Sequence, residues 1–341
     1  MSQISTSRAD LLLVTVTDSE TDAVGSILSE RYDRSPQTVI VGNRPYADLG
    51  SLGGARTFLV RSEMGAGGGG GSLLTIDTAI RNLSPRAVIM LGVAFGLKPE
   101  MHHIGDVLVA SKLMLYDLQR IGTASDGSYV VRPRGERVAP SAALLGRCHA
   151  GRDSWRSAPV RVGLILSGEK LVDHINFREQ LRQLEPEAIG GEMEGAGLYA
   201  AAQHHKIDWI LVKAITDWAD GKKGLGEEGH QELAARNAAA FVLHVIEQGG
   251  WAGELEQATL APGATTRLEE LSLSQLRQLL SESMSVGELQ TLCFDLGVNP
   301  EELPGEGKAA LVRELLGYLQ RRRRLPELYI WLRKHRSDIL S

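Results

Sequence analysis

The residues best suited to chemistry lie in one octapeptide, Gly190–Gly197, which holds the carboxylates Glu192 and Glu194 two residues apart. Small residues surround them, and glycine lets a backbone approach a ligand closely. The apolar run Leu198–Ala202 that follows predicts a helix. Two interpretations stay open here. The stretch either holds a polar ligand, or is a glycine-rich turn whose acidic residues favour the positive end of a helix dipole.

Two more carboxylates occur at corresponding places in the chain. Glu20 follows the first apolar run, and Asp217 follows the apolar run Trp209–Ile215. Carboxylates that converge on one pocket, in environments that separate their pKa values, supply both an acid and a base. Cleavage of an N-glycosidic bond needs such a set, because the leaving base is protonated, the sugar hydroxyls are held and a water is activated.

The elements that must position these carboxylates follow an alternating pattern. Apolar runs of strand length alternate with helical patterns, and Thr17 stands where a helix cap belongs. The runs are Leu11–Val16, Arg56–Val60, Ala87–Leu91, Asp106–Ala110, Val160–Leu166 and Trp209–Ile215, and the helical patterns include Leu73–Leu83 and Gly195–Gln203. This alternation predicts an α/β domain with a largely parallel or mixed sheet. Ligands of such sheets bind at the carboxyl ends of the strands.

The pattern changes after Val245. A stretch rich in glycine, alanine, threonine and acidic residues has linker composition. Beyond it the leucines recur at helical spacing only, and Ser272 and Ser285 stand at capping positions. We therefore predict a catalytic domain over 1–250, a linker over 251–267 and an all-α helical bundle over 268–341.

The composition narrows the function classes. The chain of 341 residues has a net charge of -5, which argues against a generic affinity for nucleic acid or anionic membranes. It has only two cysteines, which lie far apart in the sequence. This fits a protein of a reducing compartment better than a protein stabilised by disulfides. The N-terminus lacks a signal-peptide pattern, and no apolar run has spanning length. We expect a cytoplasmic protein that binds no membrane and no nucleic acid.

The glycine run Gly67–Gly71 follows a predicted strand and precedes a predicted helix. Backbone N–H groups at such a place form a nest for an anion or a polarised water. No Gly-Lys-Ser/Thr sequence follows, so the run is not a Walker loop. A flexible turn remains the alternative.

The histidines show no metal-binding pattern. The sequence places no carboxylate at metal-ligand spacing from any of His102, His103, His149, His204 and His205. We expect them to be surface or loop groups, and we predict no metal site.

Two motifs together carry a family resemblance. Glu192–Ala196 and Ala214–Asp220 resemble the nucleoside phosphorylase/nucleosidase superfamily, and most of all its methylthioadenosine/S-adenosylhomocysteine nucleosidases. The resemblance covers roughly Leu11 to Val245. It implies a three-layer α/β domain with a mixed central sheet, a purine nucleoside or nucleotide substrate, no cofactor, and a homo-oligomer.

The resemblance also implies roles for single residues. Asp217 matches the residue that protonates or hydrogen-bonds the purine N7, and Thr216 matches its hydroxyl-bearing neighbour. Glu20 matches the carboxylate that activates water. The segment that grips the ribose hydroxyls is matched by Glu192, Met193 and Glu194.

Five further residues are assigned to substrate binding in the same way. Lys213 stands where many relatives have an arginine, which keeps the positive charge and loses the bidentate fork. Leu171 and Val172 stand in place of a base-stacking phenylalanine and its apolar neighbour. Gly92 and Val93 belong to a predicted loop, Leu91–Gly96, beside the substrate.

The attacking group is predicted from positions at which this chain differs from the phosphorylases of the superfamily. Phosphorylases of the superfamily bind phosphate through arginine and serine, where this chain has Met90 and Val93. The early loop Val16–Ser19 also lacks their Gly-Asp signature. Water is therefore the expected acceptor, and the enzyme an N-ribosyl hydrolase. The alternatives are a phosphate-dependent phosphorylase and a non-catalytic nucleoside-sensing module.

The C-terminal segment carries a second resemblance. Leu289–Val298, Leu303–Lys308 and Arg324–Leu328 resemble the effector-associated domains of bacterial conflict systems, which are small death-like adaptors. This implies recruitment by, or oligomerisation with, a protein that carries a matching domain. It also implies a regulated defence effector, with ATP among the candidate substrates. A helical cap that only stabilises the enzyme is the alternative.

Overall fold

The computed structural model describes residues 8–222, 227–251, 273–299, 303, 307–322 and 324–335. The chain folds as two compact units, Met1–Ala252 and Gly253–Ser341. Trp251 is 7% exposed and packs into the core of the first unit, although it was predicted to begin the linker. The rest of the predicted linker and the predicted cap Ser272 lie outside the described residues.

Strands and helices alternate through the first unit. Its strands are β1 (Leu11–Thr15), β2 (Gln37–Val41), β3 (Arg44–Leu52), β4 (Ala55–Arg61), β5 (Ala87–Gly96), β6 (Val107–Leu115), β7 (Gln119–Thr123), β8 (Tyr129–Pro133), β9 (Arg137–Val138), β10 (Val160–Ser167), β11 (Ala188–Glu192) and β12 (Asp208–Asp217). Its helices are α1 (Asp18–Tyr32), α2 (Ser72–Leu83), α3 (Ala142–Ser154), α4 (Ile175–Leu184), α5 (Gly195–His205) and α6 (Glu227–Glu247).

Within the described part of the chain, one mixed sheet of ten strands organises this unit. Nine of its strands follow the order β11-β10-β6-β12-β5-β1-β4-β3-β2, and β9 pairs with β6. Strand β1 is parallel to both β4 and β5, and β12 is parallel to β5 and antiparallel to β6. An additional antiparallel pairing joins β11 to β5, so β5, β12, β6, β10 and β11 close on themselves. The predicted mixed sheet is confirmed.

Helices cover both faces of the sheet. In β1, Leu11 and Leu13 face a cluster that includes residues of α1, α3 and α6. Leu12 and Val14 face a second cluster, which includes residues of α2 and α5. Successive side chains of a strand point to opposite faces, so this apolar run is buried on both sides. The three-layer α/β fold is confirmed.

The structure corrects one element beside the predicted site. Leu91–Gly96 was predicted as a loop, but β5 continues to Gly96. The run is buried throughout except for the half-buried Val93, and it pairs with β12 as far as Phe95. Gly92 pairs with Lys213 of β12, and Gly96 pairs with Gly190 of β11. Both glycines are therefore strand residues rather than loop residues.

The second unit is helical in its described residues. It contains α7 (Leu273–Ser283), α8 (Val286–Asp295), α9 (Lys308–Arg321) and α10 (Leu325–His335). Ser285 and Glu288 form the predicted capping box of α8. Buried leucines from the four helices form a core of their own. Among the described residues of both units, no helix is both long and apolar enough to cross a membrane.

Candidate active site

Glu20 is held at the junction of β1 and α1. It closes a capping box with Thr17, and its Oε2 also accepts a hydrogen bond from Val16 N at 2.7 Å. Its Oε1 accepts from Val93 N, on β5, at 2.8 Å. The side chain is buried, with 1% of the residue exposed. Burial raises the pKa of Glu20, although the nearby ammonium of Lys213 opposes this.

Gly92 leaves the space that Glu20 occupies. A Cβ atom on Gly92 would lie 2.2 Å from Glu20 Oε1, well inside contact distance. Any other residue would displace the carboxylate. The absence of a side chain at Gly92, within β5, therefore allows the Glu20 carboxylate to occupy its position.

Glu192 and Glu194 lie where β11 ends and α5 begins. The Glu192 carboxylate accepts hydrogen bonds from Glu194 N at 2.9 Å and from Gly195 N at 2.9 and 3.0 Å. These donors belong to the start of a helix, where N–H groups lack partners within the helix. Glu194 Oε1 accepts from Gly65 N at 3.0 Å. Both glutamates are buried, and burial raises the pKa of Glu192.

Lys213 is the counter-charge of these glutamates. Its Nζ donates to Glu194 Oε2 at 3.3 Å and lies 3.9 Å from Glu192 Oε2. Burial lowers the pKa of Lys213, but the charges of Glu194, Glu20 and Glu192 outweigh burial and hold it above its usual value. We call Glu20, Glu192, Glu194 and Lys213 the buried carboxylate cluster. Three carboxylates face one ammonium, so the fully ionised cluster is negative.

Thr216 and Asp217 come from the end of β12. The register of β12 against β5 shifts between Ile215 and Asp217, which marks a β-bulge. A bulge bends a strand and re-aims its side chains. Both Thr216 and Asp217 are half-buried, and Asp217 Oδ1 accepts a hydrogen bond from Ala219 N at 2.8 Å.

Most of these groups lie around one pocket of about 530 Å³, a volume that includes the solvent at its open mouth. All predicted site residues line it except Lys213 and Gly92, which lie behind its wall. The lining ones are Glu20, Val93, Leu171, Val172, Glu192, Met193, Glu194, Thr216 and Asp217. Leu171 is 63% exposed, whereas Val172 is buried. Four carboxylates from three separate parts of the chain therefore share one pocket.

Comparison with known proteins identifies the family to which the first unit belongs. The family model of the phosphorylase superfamily matches residues 42–247, which is more than half of the chain. The chain belongs to the phosphorylase superfamily. The model of effector-associated domain 7 matches residues 276–337, in the helical unit. Both predicted family assignments are confirmed.

Two relatives of this chain are named as nucleosidases. A death domain-containing ATP nucleosidase from Amphimedon queenslandica is 31% identical over 185 residues, which are 48% of this chain. The chain spans only 34% of that relative. A 5'-methylthioadenosine/S-adenosylhomocysteine nucleosidase from Tolumonas auensis is 25% identical over 223 residues, which are 65% of this chain and 94% of the relative.

Solved structures agree on the fold. The 5'-methylthioadenosine/S-adenosylhomocysteine nucleosidase of Neisseria meningitidis, in complex with methylthio-immucillin-A, matches 70% of this chain and 98% of its own with a TM-score of 0.57 and 22% identity. Futalosine hydrolase of Helicobacter pylori matches 70% of this chain and 97% of its own with a TM-score of 0.58 and 19% identity. At these identities the likeness shows the fold of the superfamily domain.

The pocket is also lined by residues that were not among the predicted catalytic and substrate-binding residues. They are Val16, Thr17, Met64, Ala94, Phe95, Lys170 and Gly191. Phe95 supplies an aromatic ring to a pocket that has leucine at the predicted base-stacking position. A Cβ atom on Gly191 would lie 2.3 Å from this ring, so the glycine makes room for it. The pairing of β11 with β5, which brings Gly191 and Phe95 together, was not visible in the sequence.

The glycine run supports the pocket without lining it. Gly67–Gly71 leads into α2, and a Cβ atom on Gly71 would lie 1.9 Å from Gly67 O. Just before the run, Gly65 N donates to Glu194 Oε1 and Ala66 N donates to Glu169 Oε1. This turn therefore ties the start of α2 to Glu194.

The fold brings one carboxylate close to two of the histidines that have none at metal-ligand spacing in the sequence. The fold brings Asp77, on α2, beside His204 and His205 at the end of α5. His205 Nε2 lies 2.8 Å from Asp77 Oδ1. These residues are more than 120 positions apart in the sequence, so their spacing carried no signal.

Proposed function

We propose that the superfamily domain hydrolyses the N-glycosidic bond of a purine nucleoside or nucleotide. The observation that carries this proposal is the single pocket lined by Glu20, Glu192, Glu194 and Asp217. Both relatives compared above are named as nucleosidases, which supports the same activity class. Each carboxylate has a distinct environment, so each is suited to a distinct task.

Asp217 is the proposed acid at the leaving base. It stands at the carboxyl end of β12, where ligands of parallel strands gather, and Thr216 lines the pocket beside it. Its backbone is held by the bulge and its Oδ1 by Ala219 N. Protonation of the purine as the glycosidic bond breaks turns a poor leaving group into a neutral one.

Glu192 and Glu194 are the proposed ribose ligands. Backbone N–H groups and Lys213 fix both carboxylates, so little reorganisation is needed when the sugar binds. Glycosidic cleavage passes through a transition state with oxocarbenium character. A buried cluster with more carboxylates than ammonium groups stabilises positive charge at the anomeric carbon.

Glu20 is the proposed base that activates water. Its raised pKa makes it a stronger base than an exposed carboxylate. The N–H groups of Val16 and Thr17, which an anion at this loop would need, already donate to Glu20. Among the described residues that line the pocket, Lys170 is the one with a positive side chain, and it contacts Asp117. These features favour water over phosphate.

The substrate range and the setting belong to the same proposal. We propose an adenosine-type substrate, with ATP a candidate because one relative is named an ATP nucleosidase. The effector-associated unit would recruit the enzyme to a protein with a matching domain, or oligomerise it, in a cytoplasmic defence system. The match over 276–337 supports this assignment.

The test is release of free base. The full chain and residues 1–252 are each incubated with adenosine, methylthioadenosine, AMP and ATP, and the products are separated by chromatography. Both forms are included because an effector domain can silence its enzyme until a partner binds. The proposal predicts free adenine from at least one substrate. Binding without release by either form would favour the non-catalytic sensor.

A further inference from the structure

A cluster of two imidazoles and a carboxylate lies outside the pocket. Asp77 comes from α2, and His204 and His205 come from the last turn of α5. One potential ligand atom from each residue lies within 4.8 Å of the other two. The Asp77 and His205 side chains are largely buried, with 15% and 22% of their surface exposed, whereas His204 is exposed.

We propose that Asp77, His204 and His205 bind a divalent transition-metal ion of the zinc type. Imidazole nitrogen suits Zn²⁺, Ni²⁺ and Cu²⁺, and a carboxylate oxygen completes a set in which water takes the fourth position. Tetrahedral Zn²⁺ places neighbouring ligand atoms about 3.3 Å apart, given metal–ligand bonds of about 2.0–2.1 Å. Asp77 Oδ1 and His205 Nε2 lie 2.8 Å apart, so they need to separate only slightly to bind the ion. The exposed His204 ring can rotate towards them.

The surroundings of Asp77 orient it as a ligand. Its Oδ2 accepts a hydrogen bond from Arg81, one turn along α2, while its Oδ1 faces His205. Metal-binding carboxylates are commonly held in this way by a partner on the other oxygen. Arg81 is 66% exposed, so solvent screens its charge. The two histidines lie at a helix C-terminus, where the helix dipole favours a cation.

A metal ion here would join the two helices whose first residues hold Glu194. Helix α2 begins at Ser72, whose Oγ donates to Glu194 O at 2.7 Å. Helix α5 begins at Gly195, the next residue in the chain. The ion would cross-link α2 and α5 away from these ends and hold the two helices in register. This inference stands on the fold alone and does not depend on the proposed reaction.

The test is a zinc titration of the full-length, tag-free protein after removal of metal by a chelator. Calorimetry should show one Zn²⁺ ion bound per chain, and the midpoint of thermal unfolding should rise with Zn²⁺ concentration. Substitution of Co²⁺ should give the visible absorption of a four-coordinate site. His204→Ala and Asp77→Asn should each weaken Zn²⁺ binding at least tenfold. His230→Ala, which removes an exposed histidine of α6, is the matched control and should bind like the wild type.

Three results would overturn the proposal. They are no stoichiometric binding by the wild-type chain, unchanged affinity in His204→Ala, and loss of binding in His230→Ala. His204 is exposed, so its replacement leaves the fold intact. The decision therefore does not rest on Asp77→Asn, which changes a hydrogen bond between two helices.

Discussion

Asp217 is the residue whose proposed role is easiest to isolate. Asparagine keeps its size and cannot protonate a leaving base, so Asp217→Asn should lower kcat/KM for base release by about a hundredfold or more. Initial rates with the best substrate of the panel measure this. Asp220→Asn is the control, because Asp220 lies three residues on, pairs with Lys222 at 3.3 Å and does not line the pocket. A loss of only a few-fold in Asp217→Asn would refute the acid role.

The pH profile tests the buried carboxylate cluster. Burial raises the pKa of Glu20 and of Glu192, so both hold their protons up to a higher pH than exposed carboxyl groups do. Glu20 must be ionised to act as the base, and Glu192 must be ionised to stabilise positive charge at the ribose, so kcat/KM should fall on the acidic side as pH drops through these raised values. An acidic limb near the ordinary glutamate pKa of about 4.3 would show that no buried carboxylate acts as base.

Lys213→Met should move this acidic limb to still higher pH, because the carboxylates lose the ammonium that favours their ionised form. We expect the free energy of unfolding to fall by about 3 kcal/mol at neutral pH, since buried charges are left unpaired. Carboxyl groups with raised pKa values destabilise the fold as pH rises, so the deficit should shrink in acid. Lys222→Met, at an exposed site, is the control. If KM changed while the acidic limb stayed at the same pH, Lys213 would be a direct substrate ligand, which would contradict its role as the counter-charge of the carboxylates.

At the scale of elements, the close packing of α2 on α5 positions Glu194. A Cβ atom on Gly197 would lie 2.2 Å from Ser72 Oγ and 2.6 Å from Leu73 N. Gly197→Ala should therefore push the helices apart, lower stability by about 1–3 kcal/mol and reduce base release. Denaturant unfolding and initial rates measure both effects.

Gly146→Ala is the matched control for this packing. Gly146 lies within α3, and apart from its chain neighbours and the backbone of its own helix no atom comes within 4 Å of a Cβ atom built on it. Alanine there should raise stability by about 0.5–1 kcal/mol, because glycine in a helix costs conformational entropy. Stability changes of opposite sign in the two variants support the packing argument, whereas a stabilised Gly197→Ala would contradict it.

Local patterns in the sequence predicted the elements that carry the carboxylates. The apolar runs of β1 and β12, the patterns of α2 and α5, and the Thr17 cap are local signals, and the structure bears them out. The aromatic wall at Phe95 and the pairing of Asp77 with His205 escaped prediction, because each depends on segments far apart in sequence. The position of Lys213 behind the carboxylates likewise follows from packing rather than from spacing.

At the scale of the whole molecule, the described residues form separate cores in the two units. The buried leucines of the helical unit cluster among themselves. Trp251 fixes the end of the superfamily domain. The centroid of its ring lies 4.0 Å from the Arg147 guanidinium. Its carbonyl oxygen accepts a hydrogen bond from Arg86 at 3.2 Å.

We therefore expect residues 1–252 to fold alone, with one cooperative thermal transition, and to retain base release. A chain ending at 247 is the comparison, because it lacks the Trp251 closure and should unfold at a lower temperature. Failure of 1–252 to fold, or equal thermal stability of the two fragments, would contradict this account of the domain end.

The fate of the ribose tests the central claim most directly. The substrate that releases base is incubated with the enzyme in phosphate-free buffer and in phosphate buffer, and the sugar product is identified in each. The buried carboxylate cluster and the occupied N–H groups of Val16 and Thr17 predict free sugar in both buffers, at rates independent of phosphate. Base release that requires phosphate and yields a ribose 1-phosphate product would contradict hydrolysis.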